Sequence, residues 1–306
     1  MLKSKDMLGL EGVSKDEIIQ ILDTAEQMKK ILLSGSKKTP HLQGKSVILV
    51  FFENSTRTRV SFDLASKYLS ASSSAISAAA SSVSKGETLL DTARTLDRMK
   101  ADIIVMRHPM SGAPHFMAQN VEASVINAGD GMHEHPTQAL LDMFTVRENK
   151  GTLEGLKVAI VGDIMHSRVA RSNVYGMSAM GAEVVLAAPS TMIPRGMEKM
   201  GIKITNKVDE AVKDADAIMG LRIQKERQQA GLFPSVREYY RYFGIDERRM
   251  SLAKDDAIIM HPGPVNRGVE MSTFTIDHDM SVIDEQVTNG LAVRMALLFL
   301  LTRREK

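Results

Sequence analysis

The chain has 306 residues and a formal net charge of +2, and it contains no cysteine. The lack of cysteine excludes disulfides, thiolate zinc sites and cysteine nucleophiles, and the balanced charge argues against the broad basic field of a nucleic-acid-binding protein. This length suits two domains that need no metal or disulfide to be stable.

The sequence predicts a soluble, cytoplasmic protein with no membrane or nucleic-acid partner. Asp6, Glu11 and Asp16 interrupt the region where a signal peptide would need an apolar core. The longest apolar run, 295–301, is far too short to cross a bilayer.

The first predicted element is a helix that begins at a capping box. Ser14 and Glu17 have the spacing of that motif, and apolar residues then recur on one helical face until Gly35. Beyond this helix, apolar runs alternate with segments of helical periodicity. The predicted strands are 46–52, 102–106, 123–127, 156–161, 183–187, 216–219 and 256–260.

This alternation predicts an α/β fold with two doubly wound domains, mainly parallel sheets and an active site in the cleft between them. A predicted helix at 137–149 marks the boundary. We therefore expect a first domain at 1–149 and a second at 150–306, with the C-terminal helix, about 290–306, returning to the first.

A cluster of hydroxyl and guanidinium groups follows the first predicted strand. Ser55, Thr56, Arg57, Thr58 and Arg59 lie where the chain passes from strand to helix. Backbone amides and the positive end of the helix dipole meet the side chains there, which is typical of a phosphate site. The crowded arginines indicate a bound anion, because like charges side by side are unfavourable.

Residues 70–84 consist mostly of serine and alanine, a composition typical of a flexible linker. The sequence alone favours a mobile surface loop and a functional loop about equally. From Glu87 the pattern predicts a helix that continues to Met99.

Two more polar clusters follow strands of the predicted first domain. Arg107 and His108 come after 102–106, and 133–138, which includes His135 and Gln138, comes after 124–128. The carboxyl ends of parallel strands bind ligands, so we expect both clusters to converge on the predicted phosphate turn, residues 53–59. His133 and His135 also have a spacing that permits a metal pair, but no carboxylate at a recognisable spacing supports it, and we predict no metal.

The second half has polar groups at corresponding positions. Gly162 follows a strand, but Ile164 and Ser167 occupy the next glycine positions of a dinucleotide motif, which argues against NAD. Arg168 and Arg222 each follow a strand with a guanidinium fork suited to a carboxylate. The segment 261–264 is a rigid turn of histidine, prolines and glycine.

The order and spelling of the polar motifs closely resemble those of the aspartate carbamoyltransferase family. In chain order these motifs are STRTR, SKGE, RHP, HPTQ, GD with SR, RIQKER and HPGP. The resemblance covers essentially the whole chain. It implies transfer of a carbamoyl group from carbamoyl phosphate to the amine of L-aspartate in pyrimidine biosynthesis, with no cofactor.

The resemblance also implies roles for particular residues. By similarity, Ser55, Thr56, Arg57 and Thr58 hold the phosphate. Thr58, Arg107 and His135 polarise the carbamoyl oxygen, whereas Gln138 and the Pro262 carbonyl, in a turn with Gly263, orient the carbamoyl nitrogen. Arg168, Arg222 and Gln224 bind the aspartate carboxylates, and Ser81 and Lys85 reach into the active site of a neighbouring subunit.

The family match further implies a homotrimer with shared active sites, and leaves open whether regulatory or dihydroorotase chains join it. Some positions depart from the family pattern. Asn54 and Gly263 lie in or before turns that tolerate them. The serine and alanine at 70–80 are unusual for the strand that leads to Ser81, where β-branched residues are expected, and this composition puts that strand in doubt.

Two alternatives remain. One is a carbamoyltransferase for ornithine or another amino acid, although the ornithine enzymes typically carry a His-Cys-Leu-Pro motif that a chain without cysteine cannot match. The other is an inactive scaffold that assembles other enzymes. An inert scaffold has no need for a crowded, uncompensated arginine cluster, which favours the active enzyme.

Overall fold

The structure is a computed structural model that describes residues 2–77, 87–223 and 235–303. Two compact units make up the chain, the first formed by 1–141 and 288–306 and the second by 142–287. No described helix combines the length and the apolarity that a membrane crossing requires.

The first unit contains a four-stranded parallel sheet in the order β2-β1-β3-β4. Its strands are β1 (Ser46–Phe51), β2 (Ser72–Ser77), β3 (Ile103–His108) and β4 (Ser124–Asp130). Its helices are α1 (Lys15–Leu33), α2 (Thr56–Tyr68), α3 (Leu89–Arg98) and α4 (Ala113–Gln119). The next helix, α5 (Pro136–Lys150), begins in the first unit and ends in the second. The last helix of the chain begins in the second unit and ends in the first.

Side chains from β1, β3 and β4 pack on α3 and α4 in one buried cluster. Its members are Ile48, Val50, Ala93, Leu96, Ile104, Met106, Ala113, Met117, Val121, Ala123 and Val125. These apolar residues recur at every second position of the strands, and burial of such side chains is the main stabilising contribution to a sheet of this kind.

The second unit contains a five-stranded parallel sheet in the order β7-β6-β5-β8-β9. Its strands are β5 (Lys157–Val161), β6 (Glu183–Ala187), β7 (Lys203–Thr205), β8 (Ala217–Gly220) and β9 (Ile258–Met260). Its helices are α6 (Arg168–Ala179), α7 (Val208–Val212), α8 (Val236–Phe243), α9 (Glu247–Met250) and α10 (Thr273–Asp277), and α11 (Ile283–Thr302) ends the chain.

The predicted α/β class with parallel sheets is confirmed, and each of the seven predicted strands is present. The capping box is also confirmed: Ser14 accepts a hydrogen bond from the Glu17 amide, and the Glu17 carboxylate accepts one from the Ser14 amide. The composition of 70–80 had put a strand there in doubt, but its described part does form one, β2. β2 pairs with β1 from Ser46 opposite Ser72 to Phe51 opposite Ser77, because pairing to an apolar central strand outweighs weak intrinsic propensity.

Candidate active site

In the first unit, the predicted phosphate turn lies at the carboxyl end of the central strand β1. The chain leaves β1 at Phe51 and enters α2 at Thr56, with Ser55 as the N-cap in extended conformation. The Ser55 side chain makes no capping hydrogen bond. Thr58 is buried and Arg57 is exposed. The first turn of α2 has no acidic residue, so the helix dipole faces the turn without a carboxylate of its own.

The strand register brings Arg107 to the same turn. Arg107 pairs with Phe51 across β1 and β3, and its carbonyl accepts a hydrogen bond from the amide of Phe52. Its guanidinium donates to the Ala128 carbonyl of β4 at 3.2 Å, and its Nε lies 3.0 Å from Glu53 Oε2. The side chain is therefore held at two points beside the phosphate turn.

Arg107 has a compensating carboxylate that the sequence analysis did not identify. Glu53 belongs to the turn itself, and the register places it next to the end of β3, where its carboxylate forms an ion pair with Arg107. Both side chains are largely buried, with exposed fractions of 13% for Arg107 and 23% for Glu53. A partly buried ion pair of this kind fixes an arginine in one orientation.

His135 and Gln138 lie where β4 gives way to α5. His135 is buried, and its Nδ1 lies 3.4 Å from Thr137 Oγ1. Its carbonyl accepts the Gln138 amide at 3.0 Å and so helps to start the helix. Since β4 neighbours β3 in the sheet, these side chains belong to the same edge as Arg107 and the phosphate turn.

A buried carboxylate, Asp130, holds the loop that carries His135. Its Oδ1 accepts hydrogen bonds from Asn127 Nδ2 at 2.8 Å and from the Glu134 amide at 3.1 Å, and its Oδ2 accepts from the Gly112 amide at 2.7 Å. Burial by itself raises the pKa of the Asp130 carboxyl, but the hydrogen bonds, that from His133 first, outweigh it and leave the pKa below its ordinary value. Asp130 is therefore a stable anion beneath the loop.

Glu134 ties the same loop to the N-terminal segment. Its two carboxylate oxygens accept the amides of Leu10 at 2.8 Å and Glu11 at 3.3 Å, and its side chain is almost fully buried. Sequence reasoning missed this role, and it missed that of Asp130. The partners of Glu134 lie more than one hundred residues away in the chain, so no local pattern could have revealed them.

In the second unit, the two predicted carboxylate-binding arginines follow two neighbouring strands. Arg168, buried, begins α6 after β5, and Arg222 follows β8, the strand beside β5. The Leu221 amide donates to the Val161 carbonyl at 2.7 Å. A Cβ on Gly162 would lie 2.9 Å from Leu221, so the two strand ends approach each other as closely as the backbone allows.

The turn at Pro262 and Gly263 follows β9, the neighbour of β8. His261 anchors it: the Gly263 amide donates to His261 Nδ1 at 2.8 Å, so Nδ1 carries no proton. The proton then lies on Nε2, 3.3 Å from the buried carboxylate of Glu270. Sequence reasoning treated the histidine only as part of a rigid turn.

A buried polar chain supports this turn from behind. The His261 amide donates to Gln286 Oε1 at 2.9 Å, and Gln286 Nε2 donates to Asp142 Oδ1 at 2.8 Å. The second oxygen of Asp142 accepts Asn173 Nδ2 at 2.8 Å. All three supporting side chains are buried, so each of these bonds is costly to lose.

Ser81, Lys85 and Gln224 lie outside the described residues.

His133 has a carboxylate neighbour, Asp130, that the sequence spacing did not reveal. The second histidine close to both Asp130 and His133 is His115, and not His135, which the sequence spacing had offered as the partner of His133.

These observations define a two-unit α/β protein with a candidate anion site at the carboxyl edge of one parallel sheet and guanidinium groups at the corresponding edge of the other. Two family models match the chain. The carbamoyl-phosphate-binding domain of aspartate/ornithine carbamoyltransferases matches 5–148, and the aspartate/ornithine-binding domain matches 154–301. The chain belongs to the aspartate/ornithine carbamoyltransferase family, which confirms the family predicted from the motifs.

Individual relatives agree with this assignment. The chain is 67% identical over 305 residues to the aspartate carbamoyltransferase catalytic subunit of Acetivibrio thermocellus, covering 100% of this chain and 98% of the relative. It resembles the structure of ornithine carbamoyltransferase from Pyrococcus furiosus, with a TM-score of 0.87, 32% identity and 98% of each chain covered. Aspartate transcarbamoylase from Trypanosoma cruzi, solved with carbamoyl phosphate and aspartate, also has a TM-score of 0.87, with 33% identity and 97% of each chain covered.

Proposed function

We propose that this chain transfers the carbamoyl group of carbamoyl phosphate to the amine of L-aspartate and releases phosphate, as a step of pyrimidine biosynthesis in the cytoplasm. The observation that carries the proposal is the full-length identity of 67% to an aspartate carbamoyltransferase catalytic subunit. The ornithine enzyme with the same fold is only 32% identical. The fold alone therefore does not separate the two amino acids, but the sequence favours aspartate.

The first unit binds carbamoyl phosphate in this proposal. The hydroxyls and amides of 55–58 and the guanidinium of Arg57 hold the phosphate at the start of α2. Thr58, Arg107 and His135 donate to the carbamoyl oxygen, on which negative charge develops as the amine attacks. Each well-placed donor of this type contributes about 3 kcal/mol to transition-state stabilisation. The Gln138 side chain orients the carbamoyl nitrogen.

The second unit binds aspartate. Arg168, Arg222 and Gln224 bind its two carboxylates, and Pro262 presents its carbonyl to the carbamoyl nitrogen, next to Gly263. Fixing both substrates in attack geometry supplies about 7 to 11 kcal/mol of the barrier by proximity alone. The departing phosphate accepts the amine proton, since the motifs supply no obvious protein base.

The assay that tests the proposal measures carbamoyl transfer by the purified chain with aspartate and with ornithine as acceptors. We expect turnover with aspartate and little with ornithine. Preference for ornithine would establish the alternative substrate. No turnover with either, by a folded and fully assembled protein, would establish the scaffold alternative.

We also propose a homotrimer in which Ser81 and Lys85 of one subunit complete the site of the next. Mixing the inactive variants Lys85→Ala and Arg57→Ala tests this arrangement. If sites are shared, hybrid trimers contain some sites with both residues intact and regain part of the activity. Verified hybrids that stay inactive would contradict it.

A further inference from the structure

A second cluster of ligand atoms lies in the first unit, away from the phosphate turn. One ligand atom each from His115, Asp130 and His133 lies within 4.8 Å of the other two. His115 lies on α4, Asp130 ends β4, and His133 lies in the turn that follows. None of the three belongs to the residues proposed above to touch a substrate.

We propose that His115, Asp130 and His133 bind one divalent transition-metal ion, of which Zn²⁺ is the best match. Two imidazole nitrogens and one carboxylate oxygen are a common donor set for zinc, with solvent as the fourth ligand. This inference is independent of the proposed carbamoyl transfer. It departs from the expectation of no metal, which rested on the absence of a carboxylate at a recognisable spacing from His133.

The distances fit such an ion after small movements. His133 Nδ1 lies 3.1 Å from Asp130 Oδ2. Ligand atoms around a tetrahedral zinc ion lie about 3.3 Å apart, because each bond to the ion is about 2.0 to 2.1 Å long. The ion takes the place of the hydrogen bond between these two atoms, and the Nδ1 proton is released to solvent. The ligand atom of His115, which lies within 4.8 Å of the other two, must then approach them by up to about 1.5 Å to complete the site.

His115 supplies the observation that points to a ligand. Among the residues that the structure describes, its Nδ1 is buried and has no hydrogen-bond partner. Its ring makes an edge contact with that of His133, with centroids 5.5 Å apart. A buried ring nitrogen without a partner is unfavourable, and a metal ion at this point would satisfy it.

The backbone around the cluster is rigid, as a metal site requires. The Gly112 amide, at the start of α4, donates to Asp130 Oδ2, and the Gly131 amide donates to the His108 carbonyl at 2.9 Å. Gly131 has a φ of +45°, and a Cβ there would lie 2.5 Å from Ser111 Oγ. The turn after β4 and the loop before α4 are therefore locked together with the ligands on either side.

An ion can reach the cluster from solvent. His115 and His133 line a cavity of about 540 Å³ whose other walls come mainly from the N-terminal segment 2–17. The two histidines are partly exposed, whereas Asp130 is fully buried behind them. Partly exposed histidine rings in front of a buried carboxylate give the ion a short path from the cavity that requires no unfolding.

The test is calorimetric titration of the chelator-treated full chain with Zn²⁺, repeated with Co²⁺, whose absorption spectrum reports nitrogen and oxygen ligands. We expect one ion per chain and a dissociation constant at least tenfold higher in His115→Gln and in His133→Gln. His41→Gln is the control, because His41 is an exposed histidine of the same unit that contacts Thr39 and lies outside the cluster.

His115→Gln is the decisive variant, since the substitution removes no side-chain hydrogen bond of Nδ1, and circular dichroism verifies its fold. Failure of the wild type to bind either ion saturably would overturn the proposal. Equal binding by His115→Gln and wild type would overturn it as well. Loss of binding in His135→Gln with binding retained in His115→Gln would assign the ion to the His133 and His135 pair instead, contrary to the proposal.

Discussion

Replacing Gln286 by leucine tests whether the buried polar chain behind the Pro262 turn holds that turn in place. Leucine has nearly the same volume but cannot replace either hydrogen bond of the amide. The His261 amide fixes the orientation of the Gln286 side chain, because an N–H group must face the oxygen, and this leaves the amide nitrogen to donate to Asp142. The substitution therefore removes an acceptor from one buried group and a donor from another.

The expected magnitude follows from these two contacts. A buried donor or acceptor left without its partner costs about 1 to 3 kcal/mol, and a charged group costs more. The two losses sum to about 2 to 6 kcal/mol, and the apolar surface that leucine buries offsets about 1 kcal/mol. We expect a loss of about 1 to 5 kcal/mol in the free energy of unfolding.

Urea unfolding followed by circular dichroism measures this loss, with Gln27→Leu as the control because Gln27 is an exposed glutamine on α1. Carbamoyl transfer by the folded variant then reports whether the Pro262 turn keeps its position. We expect kcat to fall, since the Pro262 carbonyl is no longer held from behind. A stability within about 1 kcal/mol of the control, which is the net value of one ordinary hydrogen bond, would refute the reasoning.

Three further predictions concern the first unit. Arg107→Lys removes the planar fork that contacts Glu53 and should lower kcat/KM by about 100-fold, while the exposed Arg267→Lys should have no effect; equal values for the two variants would contradict this. Gly131→Ala should lower the melting temperature more than Gly112→Ala, because both glycines have positive φ but only Gly131 would also place its Cβ against Ser111; equal losses would exclude the steric explanation. The folded-state pKa of Asp130 is depressed, so its stabilisation is present above the ordinary value of 3.8 and is lost as the pH falls through the lower folded value. Asp130→Asn should therefore unfold at lower urea than wild type at neutral pH, with a difference that narrows in acid, and a difference independent of pH would contradict the assignment.

The sequence predicted the sheets well because their strands are apolar and their ends are polar. β1 is almost entirely buried, and an apolar run before the 55–58 turn is sufficient to indicate a parallel strand that leads into a helix. The short β7 was not predicted, since Lys203–Thr205 is exposed or half-buried and pairs only at the sheet edge. The serine-rich β2 shows the reverse case, in which the partner strand rather than local composition determines the structure.

The sequence also placed the candidate site residues at strand ends, but it could not supply their charge environment. Glu53 was visible beside the arginines, yet only the pairing of Phe51 with Arg107 shows that it compensates Arg107. The same limit applies to His133. Asp130 lies three residues before it, but their contact depends on a turn made possible by the positive φ of Gly131.

The residues that position the site are more hidden from sequence reasoning than those that would touch substrate. A guanidinium or hydroxyl needed by an anion appears in a short polar motif, because the ligand is small and several groups must converge on it. Asp142 and Gln286 need not lie in a short polar motif, because they contact each other across 144 residues. The apolar periodicity of the helical segments around them indicates only that these segments are buried. Because buried polar groups must be paired, each such residue in the second unit implies a partner that only the fold can identify, and the Pro262 turn depends on that pairing as much as on its own prolines.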